Sequence, residues 1–255
     1  MSRPIRASCR PLLRKIGVIL CVAPVMMAAL AIQTIADNGQ KPKLLTFSSA
    51  GHKIRTEWFY PPGTITGAHP VLIVVHGSGG LEPTGGFFRD IAGQIAKSGT
   101  PVVVLHYFDR TGISWANNAQ MSSLFQQWLG TIHDSIDFVQ KQPNVDPNRI
   151  SVLGHSLGAQ LALHEAANDP RVYSIVDMAG CFVLPKAHIT RMPKILILQG
   201  AADKVVTLKR EKAMVAVLQR CGTKYDEHIF PGVDHMFQNV SADKLVGLTV
   251  DFLKN

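Results

Sequence analysis

Ile150-Ser151-Val152-Leu153-Gly154-His155-Ser156-Leu157-Gly158 is the stretch whose reading decides the fold. Its first four residues suit a buried strand, the next five spell Gly-x-Ser-x-Gly, and a helix-forming run over 159–167 follows at once. A chain that passes from strand to helix within one residue leaves that residue, Ser156, on a strained turn with its hydroxyl exposed. Glycines at 154 and 158 then follow from sterics, because strand and helix pass too closely there for a Cβ. The helix N-terminus behind the serine favours developing negative charge. A Gly-rich turn around an ordinary serine has the same five letters; the strand before them and the helix after them make the reading a nucleophile elbow.

On both sides of the elbow the chain alternates strands with helices. Upstream, residues 43–48 and 54–60 alternate in polarity between Gly51, Pro61 and Gly63, and read as an antiparallel pair at a sheet edge. Val71-Leu72-Ile73-Val74-Val75 is a continuous apolar run, as expected of a strand buried on both faces, and 101–105 is another. Helices are predicted over 87–97 and 119–141, with a loop over 107–118. Downstream, 172–178, 195–198 and 225–230 read as strands, and 207–220 and 242–253 as helices. The alternation predicts an α/β fold class, a mostly parallel, doubly wound sheet with helices on both faces. In such a sheet ligands sit at the carboxyl ends of the strands, so functional residues are sought just after strands.

Serine is a poor nucleophile at neutral pH and needs a base, which in turn needs a carboxylate to orient it. Asp203 follows the strand ending in Gln199-Gly200, and His235 follows the last strand within Pro231-Gly232-Val233-Asp234-His235. Of ten histidines, His235 alone lies in a loop after the last strand. Asp234 is too close in sequence to reach its neighbour's ring properly, and Asp177 stands before its strand ends, which leaves Asp203 as the acid. An oxyanion needs two backbone donors. Leu157, just after the nucleophile, offers one, and His76-Gly77-Ser78-Gly79-Gly80 offers the other through Ser78 or Gly79. This loop is not a phosphate loop, since no Gly-Lys-Ser/Thr ending appears and Glu82 stands where a third glycine would be needed. His76, His106, His155 and His235 lack the short spacing of a metal pair, so no metal or other cofactor is expected.

Gly154-His155-Ser156-Leu157-Gly158, Gly200-Ala201-Ala202-Asp203-Lys204-Val205-Val206 and Gly232-Val233-Asp234-His235-Met236-Phe237 together resemble the dienelactone hydrolase family of α/β-hydrolases, over about residues 45–255. The resemblance implies an eight-stranded α/β-hydrolase sheet and a Ser or Cys nucleophile completed by Asp and His. The enzyme that names the family carries cysteine at the elbow. Ser156 instead points towards general carboxylesterases, acting through an acyl-enzyme on small or medium esters or lactones. The short segment over 180–193 leaves no room for a large lid, which argues for an open pocket. Trp115, Phe87, Phe88 and Phe182 are candidates to line it, with core packing as the alternative. Two other readings stay open: a serine peptidase resembling prolyl oligopeptidases, and a catalytically silent exported binding protein.

The 255 residues and 46% hydrophobic content support one core. The start of the chain stands outside it. Arg3, Arg6, Arg10, Arg14 and Lys15 precede an apolar stretch over 16–32, and small residues allow cleavage after Ala31 or Ala36. Residues 1–36 therefore read as a signal peptide and 37–255 as the catalytic domain, exported to the periplasm or secreted; an uncleaved membrane anchor is the alternative. The leader carries five basic and no acidic residues, which leaves 21 basic against 18 acidic in the remainder. The formal charge of +8 is thus no mark of nucleic-acid binding, and a small-molecule ester is the expected partner, with no stable membrane span after cleavage. Nothing in the sequence bears on oligomeric state. Cys181 and Cys221 remain after cleavage, either paired or as two separate thiols.

Overall fold

A computed structural model describes residues 41–82, 84–182 and 189–255; the leader read at 1–36 lies outside the described residues. Eight strands form one sheet: β1 (Lys43–Ser49), β2 (His52–Phe59), β3 (His69–Val75), β4 (Val102–Leu105), β5 (Val145–His155), β6 (Val172–Met178), β7 (Lys194–Gly200) and β8 (Tyr225–Phe230). Their order is β1-β2-β4-β3-β5-β6-β7-β8. β1 pairs antiparallel with β2, and β2 with β4, while every pair from β4 to β8 is parallel. This is the eight-stranded, mostly parallel sheet the sequence predicts.

The opening hairpin is tighter than the polarity pattern suggests. Ser49 pairs with His52 across a two-residue turn in which Ala50 (φ 41°) and Gly51 (φ 84°) both take positive φ. Such turns match the twist of the flanking strands, so pairing runs to the turn itself and both strands reach further towards it than the bounds read from sequence, while the second ends one residue earlier, at Phe59.

β3 sits between β4 and β5, and Val71 to Val75 are all at most 1% exposed. Val71, Ile73 and Val75 join a core layer with α2 (Asn118–Val139), α3 (Leu157–Asn168) and α4 (Leu208–Arg220). Leu72 and Val74 face the opposite layer, with α1 (Gly85–Lys97) and α5 (Ala242–Lys254). Burying such a side chain contributes roughly 1.5–3 kcal/mol, which makes a run apolar on both faces the natural centre of the sheet.

Part of the predicted loop over 107–118 is a 3₁₀ turn, Tyr107–Arg110, whose Tyr107 and Phe108 are buried beside Trp128 of α2. Trp128 Nε1 donates to Thr111 Oγ1 at 3.0 Å, tying the segment to the helix. α2 then starts on a capping box, with Asn117 accepting from the Gln120 amide at 2.9 Å and Gln120 accepting from the Asn117 amide at 3.0 Å. Cys181 and Cys221 form no disulfide. Among the described residues, no helix is long and apolar enough to cross a membrane.

Candidate active site

Ser156 lies between β5 and α3 with φ 52° and ψ −115°, a conformation that a non-glycine residue holds only where its surroundings impose it. One hydrogen bond and two close backbone approaches impose it here. The Ser156 amide donates to the Met178 carbonyl at 2.9 Å, which ties the turn to β6. A Cβ on Gly154 would stand 2.4 Å from the Ala159 nitrogen, and one on Gly158 2.2 Å from the Val75 carbonyl oxygen. The first glycine thus lets strand and helix pass each other; the second lets the helix sit on the neighbouring strand, β3.

The His235 ring stands between Ser156 and Asp203, with Nε2 2.8 Å from Ser156 Oγ and Nδ1 2.7 Å from Asp203 Oδ2. The Asp203 side chain is fully buried and accepts through Oδ1 from the amides of Val205 (2.7 Å) and Val206 (2.9 Å), while Gln199 Nε2 donates to Oδ2 at 3.3 Å. A carboxyl group so surrounded by donors acts as acceptor, so Nδ1 of His235 carries the ring proton and Nε2 is left to accept from the serine hydroxyl. The loops holding Asp203 and His235 are joined by the Ala202 amide, which donates to the Val233 carbonyl at 2.9 Å. A side chain at Gly200 would fill that crossing, its Cβ 2.4 Å from the same carbonyl.

The glycine-rich loop after β3 passes directly over the elbow: a Cβ on Gly77 would lie 3.4 Å from Ser156 Cβ. Four of its five carbonyls are engaged away from the serine. Tyr107 Oη donates to the His76 carbonyl at 3.0 Å, His76 Nδ1 and the Gly80 amide to that of Gly77 at 2.8 and 3.1 Å, the Ala116 amide to that of Ser78 at 2.8 Å, and Thr84 Oγ1 to that of Gly80 at 2.6 Å. Among the described residues no hydrogen bond takes the amides of Ser78, Gly79 or Leu157, the three donors named from sequence. Burial holds His76 neutral, with its pKa lowered to about 4, so its ring braces the loop and carries no charge.

Asp177 ends up at the carboxyl end of β6, fully buried, with no side chain bonding it and the Gly180 amide alone opposing the cost of its burial, which raises its pKa to about 7. Glu211 of α4 is also buried, and its pKa is raised by burial and by the carboxylate of Glu227. A carboxyl group with an ordinary unfolded value and a raised folded one binds more protons when folded. Stability therefore falls as pH rises from about 4 to about 7, by up to about 4 kcal/mol for Asp177. Asp177→Asn is expected to flatten this slope, so that urea denaturation at pH 5 and pH 8.5 gives a smaller difference than in the wild type. Equal differences would mean that Asp177 is ionised in the folded protein.

Of the aromatic residues named from sequence, Phe88 and Phe182 are core, Phe87 is half-buried, and Trp115 is 59% exposed. His76, His106, His155 and His235 do not assemble into a ligand set. Among the described residues the group that does bring three ligand atoms within 4.8 Å is His133, Glu165 and Asp169. Arg171 already lies on it, donating to Asp169 at 2.6 Å and also pairing with Asp137, so a cation's place there is taken by the guanidinium. A cleft of about 680 Å³ lies on the other side of the glycine-rich loop, lined by Arg55, Glu57, His76, Leu81, Arg89 and His106 among others, and by none of Ser156, Asp203 or His235. Four of its charged residues, Arg55, Asp109, Glu57 and Arg89, pair with one another. Burial alone would raise the pKa of Glu57, but bonds from Arg89 and His106, both at 2.7 Å, hold it at about 2, and Arg55 pairs with Asp109.

Comparison with known proteins agrees with this architecture. The dienelactone hydrolase family model matches residues 56–248. The chain belongs to the dienelactone hydrolase family. In sequence it is 33% identical to the esterase EstD of Thermotoga maritima over 111 residues, 39% of this chain and 26% of that protein. It spans 26–62% of the lengths of the relatives it matches in this way. In structure it resembles the dienelactone hydrolase-like promiscuous phosphotriesterase P91 from metagenomic libraries, at TM-score 0.71 and 17% identity over 83% of this chain and 96% of that one. It also resembles the acylaminoacyl peptidase of Pyrococcus horikoshii, at TM-score 0.67 and 15% identity, over 84% of this chain and 41% of that one. These likenesses establish the fold.

Proposed function

We propose that the protein hydrolyses carboxylic esters through an acyl-enzyme on Ser156, with His235 as base and Asp203 as the orienting acid. The continuous hydrogen-bonded path from Ser156 Oγ through both nitrogens of His235 to Asp203, at 2.8 and 2.7 Å, carries this reading. Oγ attacks the acyl carbon as Nε2 takes its proton, and the carbonyl oxygen becomes an anion facing the amides of Leu157 and of Ser78 or Gly79. The imidazolium, steadied by Asp203, returns the proton to the departing alcohol. Water then attacks the acyl-enzyme by the same route and frees the acid.

The rim of the site favours an apolar acyl or alcohol group. Trp115, Val205 and Met236 are 59%, 60% and 42% exposed; Val205 and Met236 lie on the loops of Asp203 and His235, and Trp115 on a loop bonded to that of Ser78. Trp115 precedes the residue that binds the Ser78 carbonyl, Val205 holds Asp203 through its amide, and Met236 adjoins His235. A panel of nitrophenyl esters from acetate to octanoate, a lactone and a peptide anilide tests the proposal. Esters of intermediate length are expected to turn over fastest and the anilide at least about 100-fold more slowly. Trp115→Ala is expected to raise KM for the longer esters by about 3–10-fold and to leave acetate within about twofold. Faster cleavage of the anilide would replace the esterase reading by the peptidase one. No labelling of Ser156 by a fluorophosphonate would leave only the silent binding protein. Export rests on the leader residues named above, and N-terminal sequencing of the mature protein is expected to begin after Ala31 or Ala36.

A further inference from the structure

His155, the residue before the nucleophile, contributes no atom to the path from Ser156 to Asp203, yet it is bonded to it. Its ring is buried at the end of β5, against Phe88 (centroids 6.0 Å apart), Phe237 (6.5 Å) and His235 (5.2 Å). Nε2 of His155 lies 3.0 Å from the main-chain carbonyl oxygen of His235. A carbonyl can only accept, so Nε2 carries the proton and donates. Burial lowers the pKa of His155 to about 4, so at neutral pH the ring has a single N–H, and this bond uses it. An apolar side chain of similar size would fill the same space. A buried N–H is costly unless it is bonded, and this one is spent on the backbone of the base.

The two ends of His155 therefore grip the two residues that exchange the proton. Its main chain continues into Ser156, whose amide is fixed to Met178, and its side chain holds the carbonyl of His235. Apart from the ring's own bonds to Ser156 and Asp203, the bonds of the His235 loop are local or reach the acid loop, as with the Met236 amide to Asp234 Oδ1 at 3.0 Å and the Ala202 amide to the Val233 carbonyl at 2.9 Å. These set the loop against Asp203. The His155 bond sets it against the serine.

We infer that His155 is a positioning residue for the hydrolysis proposed above: by binding the main chain of His235 to the residue adjoining Ser156, it holds Nε2 and Oγ at bonding distance through both proton transfers. The inference rests on that reading for its kinetic part and on the geometry alone for its spectroscopic part. A displacement of about 1 Å between base and nucleophile costs on the order of 100-fold in rate, so the effect of losing the bond is readable.

Three forms of the protein are compared: wild type, His155→Phe, which fills the space without a donor, and His155→Gln, whose amide reaches as a donor. Should the Phe variant fail to fold, His155→Asn, too short to reach the carbonyl, replaces it with the same expectations. His155→Phe is expected to lower kcat on the best ester about 10–100-fold with KM within about twofold, and to slow fluorophosphonate labelling of Ser156 by the same factor. His155→Gln is expected to keep kcat within about fivefold of wild type. The far-downfield proton resonance of the His235–Asp203 hydrogen bond is expected to be sharp in wild type and Gln and broadened by exchange in Phe, whether or not any ester is turned over. A Phe variant with wild-type kcat, equal losses in Phe and Gln, or a resonance unchanged in Phe would each overturn the role. A wild type without turnover or labelling would instead overturn the esterase reading, leaving the resonance to decide on His155.

Discussion

Ser156→Ala is expected to lower kcat on the best ester of the panel by about 10⁴-fold or more, equivalent to about 5 kcal/mol or more of transition-state stabilisation, with little change in KM. The hydroxyl is the only atom removed. The imidazole of His235 loses its bond to Oγ but keeps that to Asp203, and the amides of Leu157, Ser78 and Gly79 keep their places, because the serine side chain bonds none of the three. What remains is the catalysis that binding and oxyanion donors supply to a water molecule. Stability should change little, since the Ser156 conformation is fixed by its amide and by the flanking glycines. Steady-state rates with the alanine protein as blank, together with a melting temperature, make the measurement. Activity at the wild-type level would move the nucleophile elsewhere.

Gly158→Ala is expected to be the most damaging substitution for the fold itself. The added Cβ would lie 2.2 Å from the carbonyl oxygen of Val75 and 2.5 Å from that of His76. Both obstacles are backbone, at the end of a central strand, so no side-chain rotation relieves them and α3 must lift away from β3. The expected cost is about 3 kcal/mol or more, read as a melting temperature lower by roughly 6–12 °C for a domain of this size. Lifting α3 also carries the Leu157 amide and Ser156 away from the glycine-rich loop, so labelling by a fluorophosphonate should be lost even in the cold. Gly130→Ala is the control: it lies within α2 with nothing within 4 Å of its added Cβ, and alanine there should stabilise by about 0.4–1 kcal/mol. Similar melting temperatures for the two variants would mean that helix and strand are not in close contact at 158.

Buried carboxyls are the other exposed flank of this protein's stability. Asp177 and Glu211 lie in the same layer as α4, whose N-terminal side follows the Asp203 loop. Their ionisation as pH rises lowers global stability. Activity measured at high pH should therefore be interpreted alongside a melting curve at the same pH.

The sequence by itself determined the elbow, the alternation of strands and helices and the chain order Ser156, Asp203, His235, because each depends on neighbours in the chain. Strand, turn and helix at 150–167 are local choices, and the glycine at 154 is dictated by the crossing of adjacent elements, whereas the one at 158 is required by the distant strand β3. The sequence also made β3 a central strand, since apolar residues on both faces leave it no stable edge position. Strand ends were less legible. The Ala50–Gly51 turn and the early start of β5 are fixed by partners on other strands, including a register shift between His69 and Val71, and not by polarity. Only the tertiary structure decided what His155, Gln199 and Tyr107 do, which sequence reasoning did not find. His155 occupies a free position of its motif, and its partner lies 80 residues away. Hydrogen bonds of this kind are made between groups whose meeting depends on the packing of whole helices against the sheet. A pattern of neighbouring letters records which groups can bond, whereas distance and direction, set by the closed core, select the pairs that do.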